Sequence, residues 1–160
     1  MPGLPPLQSE DIEAFDKTLS FLLDQGEATA VLLIDQGGPI ITQIGDTSLM
    51  DTTSLAALAA GAFAATQGVA RILGETDFSS VYQQGRTLSV IVQRVDDNLL
   101  LLVIFKASLS AGMVKYHAAI SSANLLHQVE KATARSPGEA IDLVSMNLED
   151  VAQVFRRKDP

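Results

Sequence analysis

The chain contains no cysteine and no tryptophan, and only 5% of it is aromatic. Without cysteine there is no disulfide framework, no thiol nucleophile and no thiolate metal site, so burial and hydrogen bonding must hold the fold. Positive charge is also scarce: 11 Lys and Arg stand against 19 Asp and Glu, a net charge of -8. Non-specific binding to nucleic acid or to an anionic membrane requires clustered cations, so neither is expected as a partner. The opening MPGLPPLQSE has neither the basic segment nor the apolar run of an export signal, which makes a cytoplasmic chain the expectation.

Motifs of chemistry are missing as well. Gly37-Gly38 is followed by Pro39 and not by the Lys-Ser/Thr of a nucleotide loop, and no nucleophile elbow is present. His117 and His127 stand ten apart on one predicted helix, without HExxH spacing, and read as surface or hydrogen-bonded residues. Asp96-Asp97 sits in a hairpin turn and reads as solvated. No catalytic residue, metal or cofactor is expected, and the chain is not read as an enzyme.

What is present is apolar patterning. Hydrophobic residues make up 47% of 160, enough for one domain over residues 9–135, with an extension over 136–160. Residues 2–8 are proline-rich and read as a flexible or late-ordering arm. Ser9 is placed to cap a first helix whose Ile12, Phe15, Leu19, Leu22 and Leu23 form one stripe, closed by Gly26. Residues 28–34, ATAVLLI, read as a strand buried on both faces. A turn at Asp35-Gln36-Gly37-Gly38 leads to an edge strand, residues 40–44, opened by Pro39.

Three further strands follow, over 79–84, 87–95 and 99–105. The first is short and polar, and the last, LLLLVIF, is the most apolar run. Placing the two most apolar strands side by side gives the order 2-1-5-4-3. A helix over 108–133 carries Val114, Ala118, Leu125, Val129 and Ala132 on one face and should lie beside the first helix. The expected class is mixed α/β (α+β), αββαβββα, with a five-stranded mainly antiparallel sheet. Helices 1 and 3 cover one face and the long central helix covers the other. In the extension, Asn147 can cap a short amphipathic helix whose Leu148, Val151 and Phe155 share a face. It needs a surface to dock on, its own domain or a partner's.

The central helix, residues 51–73, has no polar side. Leu55, Leu58, Ala59, Ala62, Phe63, Val69 and Leu73 read as one face, and Ala57, Gly61, Ala65, Gly68 and Ile72 as another, with Gln67 and Arg71 as late interruptions. A membrane span would need about 20 strongly apolar residues, whereas this stretch is mostly alanine. Enclosure within one chain stays open, although 160 residues offer few layers. Cover by a second copy is the favoured reading, and the short third strand could pair with its copy. The expected dimer contact is Leu55, Leu58, Ala59, Gly61, Ala62, Ala65, Gly68, Val69 and Val81.

Particular residues carry a resemblance. Ala64-Ala65-Thr66-Gln67, Leu73-Gly74-Glu75, Phe78, Gln84-Gly85 and Gly112-Met113-Val114-Lys115 followed by His117 resemble the Roadblock/dynein-light-chain family, and within it the bacterial MglB-type GTPase-activating proteins. The resemblance covers residues 9–133. It implies a homodimer with antiparallel central helices and joined third strands, which activates a small Ras-like GTPase of the MglA type in cell polarity or gliding motility. It further implies that the GTPase supplies its own catalytic arginine and glutamine, so that Arg71 is a contact and no arginine finger. The implied GTPase platform is the exposed side of the paired helices, here Ala60, Ala64, Gln67 and Arg71, with Phe155, Arg156, Arg157 and Lys158 in the extension. A scaffold that binds a GTPase or motor component without speeding hydrolysis is the alternative.

Overall fold

Two strands that are apolar at nearly every position take the middle of the sheet, since only there are both faces covered. The computed structural model describes residues 3–135. The expected 147–158 helix, with Phe155, Arg156, Arg157 and Lys158, lies outside the described residues. In chain order the elements are α1 (Ser9–Asp24), β1 (Ala30–Asp35), β2 (Ile40–Gly45), α2 (Thr52–Leu73), β3 (Ser80–Gln83), β4 (Leu88–Arg94), β5 (Leu99–Lys106) and α3 (Ala111–Ala134). The sheet order is β2-β1-β5-β4-β3, with every neighbouring pair antiparallel. Ala30 stands opposite Ile104 and Val92 opposite Leu102.

Strand alternation sends the two halves of each strand to separate cores. Val31, Leu33, Ile91, Leu101, Val103 and Phe105 meet Phe15, Leu19 and Leu22 of α1 and Val114, Ala118 and Leu125 of α3. Ala30, Leu32, Ile34, Val92, Leu102 and Ile104 meet Ala56, Ala59, Ala60 and Phe63 of α2. Helices 1 and 3 therefore share one face, and among the described residues α2 is alone on the other.

Several boundaries differ from expectation. α1 is capped by Gln8, not Ser9, because the Gln8 N–H donates to Asp11 Oδ2 at 2.7 Å and starts the helix one residue earlier. The helix ends at Asp24 with Gln25 as its C-cap, ahead of Gly26. α3 starts at Ala111, since the Ser110 side chain is its cap. The proline-rich arm is not loose: Leu4 and Leu7 pack against the α1/α3 core, and Pro5-Pro6 lowers the entropy cost of laying it there.

α2 has well-formed ends. The Asp51 side chain accepts from the Ser54 N–H at 3.1 Å and from its hydroxyl at 2.6 Å. Gly74 closes the helix in the left-handed region at φ 77°, where a side chain would be strained. Gly38, at φ 110°, passes close enough to Ala57 that a Cβ would stand 3.3 Å from the Ala57 Cα. By length and composition α2 could cross a membrane, with a mean hydropathy of 1.3. Its inward stripe is committed to the sheet instead.

Asp11 also fixes the far end of α3, through an ion pair with Arg135. Burial works against the Asp11 charge, but the Arg135 hydrogen bond, the Gln8 N–H and the Arg135 charge outweigh it and hold the carboxyl below its ordinary value.

Phe63 is the one large side chain that α2 buries fully against the sheet. Phe63→Ala is expected to destabilise the chain by about 3–5 kcal/mol, read from urea unfolding; a loss under about 1 kcal/mol would contradict the packing. The hydrogen bonds from the Ser54 side chain and N–H hold the Asp51 carboxyl below its ordinary value. Its capping contribution is therefore complete above the unfolded aspartate pKa of about 3.9 and is lost as pH falls through the lower folded value. Asp51→Asn should remove that part of the acid dependence in a series of thermal melts between pH 6 and pH 2, roughly the span over which aspartates titrate.

Candidate functional site

At 100° per residue, positions 56, 59, 60, 63, 67 and 70 of a helix form one stripe, and in α2 this is the stripe that turns to the sheet. Ala59 is 8% exposed and Ala60 4%. Both expectations for these residues are corrected: Ala59 does not lie on the outer face offered to a second copy, and Ala60 does not lie on an exposed platform. Leu55 is half-buried and packs against the same core. The physical reason is composition. With alanine on every side, hydropathy cannot say which side faces in, and the face read as Leu55, Leu58, Ala59, Ala62, Phe63, Val69 and Leu73 straddles the true boundary.

The opposite side is open. Leu58 is 73% and Ile72 85% exposed, and Val69 and Leu73 are exposed beside them. Gly61 and Ala65 are exposed between them, with Ala62 and Gly68 half-buried. A Cβ on Gly61 would meet nothing within 4 Å. Among the described residues, then, neither Gly61 nor Gly68 is required by close packing. A contiguous apolar face of this kind marks an interaction surface.

Beside this face runs the free edge of β3. Among the described residues β3 pairs only with β4, which leaves its outer backbone groups available to another strand. Val81 is half-buried and turns toward the α2 core, so its side chain supports the strand from beneath. Tyr82, on the other face, stacks on Phe105 with ring centroids 6.2 Å apart.

Polar contacts restrain the approach to this edge and the neighbouring β4–β5 turn, and none of them was expected from the sequence. The Gln67 Nε2 donates to the Phe78 carbonyl at 3.1 Å, and the Phe78 N–H donates to Gln67 Oε1 at 3.2 Å. This side-chain amide is thereby engaged by the backbone ahead of β3 instead of facing outward. Arg94 makes ion pairs with Asp77 and Asp97, and the Ser122 hydroxyl donates to its carbonyl at 2.8 Å. Asp96 accepts from the N–H groups of Asn98 and Leu99, both at 2.8 Å. The Asp96-Asp97 pair is thus structural and not merely solvated. The signal for it was Arg94 three residues ahead of Asp97.

A cleft of about 230 Å³, lined by Gln36, Phe63, Gln67, Arg94 and Asp97, opens where these restraints meet the helix. Ala64 and Arg71 are exposed on the flank of α2, and the Arg71 guanidinium has no ion pair or hydrogen bond among the described residues. Of the expected GTPase platform, Ala64 and Arg71 are therefore accessible, Ala60 is buried and Gln67 is engaged. No group of three or more His, Asp or Glu suited to a metal ion occurs among the described residues. Together the described residues present an exposed apolar helix face, a strand edge and the Arg71 cation.

Gln67→Ala removes both bonds to Phe78. It is expected to speed amide exchange of Phe78 and of the β3 backbone while leaving β1 and β5 protected; exchange unchanged in β3 would show that the clamp does not hold the edge.

A sequence model of the Roadblock/LC7 domain matches residues 14–105. No curated protein sequence matches the chain. Among solved structures, Myxococcus xanthus MglB is 31% identical, with a TM-score of 0.74 over 79% of this chain and 95% of that one. A structure described as MglB with tetrameric arrangement is 27% identical, with a TM-score of 0.76 over 82% of this chain and 99% of that one. The gliding protein MglB of Thermus thermophilus is 28% identical, with a TM-score of 0.74 over 82% of this chain and 99% of that one. The helix order, the 2-1-5-4-3 sheet and a domain match over more than half of the sequence agree: the chain belongs to the Roadblock/LC7 domain family.

Proposed function

We propose that this protein is a homodimeric regulator of a small Ras-like GTPase of the MglA type, acting as its GTPase-activating protein in cell polarity or motility. The observation that carries the reading is the outer face of α2. It is apolar, built from small residues and continuous with a free strand edge, on a chain resembling MglB proteins over most of its length. In the proposed dimer two α2 helices pack antiparallel through Leu58, Gly61, Ala62, Ala65, Gly68 and Val69, and the two β3 edges join through the backbone beside Val81. Burying a few hundred Å² of apolar surface in this way contributes several kcal/mol before association costs.

The GTPase would then meet the flank of the helix pair, with Ala64 allowing close approach and Arg71 supplying an unpaired cation. Phe155, Arg156, Arg157 and Lys158 are proposed as a second contact. The protein would act on the conformation of its partner, without contributing a catalytic group to the reaction. Cytoplasmic placement follows from that partner.

Single-turnover GTP hydrolysis by the cognate GTPase is the decisive measurement. Acceleration by a factor on the order of 10³ is expected, and binding at an unchanged rate would select the scaffold reading instead. Arg71→Ala should weaken binding while leaving the rate at saturation within about twofold, whereas loss of a finger would lower that rate by about 10³. For the dimer, Gly61→Leu finds open space in the protomer but overpacks a helix pair, at a cost of about 1–3 kcal/mol. The mass by light scattering should fall toward the monomer, and an unchanged dimer mass refutes the contact.

A further inference from the structure

On the face of the sheet away from α2, α1 and α3 lie antiparallel: Arg135 at the end of α3 pairs with Asp11 at the start of α1. Beside the apolar core that the two helices share, polar side chains also lie along the seam between them. Gln128 Nε2 donates to Thr18 Oγ1 across it at 2.9 Å. His117 Nδ1, Ser121 Oγ and Gln128 Oε1 are buried side-chain atoms without a hydrogen-bond partner among the described residues. Positions 117, 121 and 128 fall within about 40° of each other around a helix, so all three lie along the same side of α3.

A cleft opens at each end of this seam. One, of about 300 Å³, is lined by Glu10, Asp11, Ala14, Gln128, Lys131 and Arg135. The other, of about 140 Å³, lies beside Glu27, Met113 and His117. Around the second cleft the surface is apolar. Met113 is 58% and Tyr116 62% exposed, with Phe21 and Ile120 beside them. The rings of Phe21 and Tyr116 each stand edge-on to His117, at 5.8 Å and 5.4 Å. Just beyond, α1 ends with no basic residue in its last turn. Asp24 and Glu27 add negative charge to a helix terminus that is already negative. A surface so ordered, apolar and then anionic, fits an amphipathic helix whose apolar face ends in cations.

We propose that residues 147–158 of the same chain occupy this seam in the free protein. Their pattern complements it: Leu148, Val151 and Phe155 recur at i, i+3 and i+7, followed at once by Arg156, Arg157 and Lys158. The chain departs from Arg135, beside the first cleft. The connecting residues up to Leu148 reach about 40 Å when extended, and α3 measures about 33 Å from Arg135 back to Met113. Phe155 can therefore reach the thioether and aromatic surface of Met113 and Tyr116, and the three cations the end of α1. Tethering raises the local concentration to the mM range, which offsets the instability of so short a helix. The proposal rests on the seam and does not depend on the GTPase reading.

The absence of native cysteine allows one spin label to be placed cleanly in the full chain. With a nitroxide on Ala152→Cys, NMR signals of Phe21, Met113, Tyr116 and Ile120 should fall at least about twofold, as a largely docked population requires. Adding Phe155→Asp to the same labelled chain should restore them. Three outcomes overturn the proposal: no attenuation, attenuation centred on Leu58 and Ile72 of α2, or attenuation seen only when labelled and isotope-enriched chains are mixed.

Discussion

The constraint on which the rest depends is the packing of α2 on the sheet through Ala56, Ala59, Ala60 and Phe63. Three alanines allow a close approach to the sheet, and Phe63 is the large side chain of the stripe buried in the same core. Once that stripe is seated, the helix has no rotational freedom, and Leu58, Val69, Ile72 and Leu73 must point outward. No other described element stands over them. Burial on one side thus creates an unburied apolar face on the other, and the proposed dimer answers it.

The polar groups serve the same arrangement at its margin. Gln67 ties the end of α2 to Phe78, and Arg94 ties Asp77 to Asp97. The short β3 is thereby held beside the helix with one edge free. A four-residue strand paired on one side would fray without such restraints. The proposed surface is therefore assembled from a helix face and a strand edge that side-chain contacts tie together.

Much of the fold was legible beforehand because strands covered on both faces and strands at an edge leave different sequence patterns. ATAVLLI and LLLLVIF could only be central, and Pro39 and the polar 79–84 run marked the edges. The candidate site was legible in part. Of the helix positions expected to meet a second copy, Leu58, Gly61, Ala65 and Val69 do face outward. Ala59 and Ala60 were misplaced because a helix rich in alanine gives no hydropathy contrast between its sides. Gln67 was read as an exposed interruption, whereas its amide is engaged by a backbone segment eleven residues away. The leucines of the proline-rich arm gave no periodic signal, and their docking depends on a groove that exists only once α1 and the sheet have met.

The sequence by itself determined the class, the strand order and the placing of α2 on the sheet face opposite α1 and α3, since these follow from local periodicity and residue type. Tertiary structure alone decided which stripe of α2 turns inward, which polar side chains are engaged, and where the remaining accessible groups converge. Those outcomes depend on contacts between residues distant in the chain, and a pattern of single residues carries no record of them.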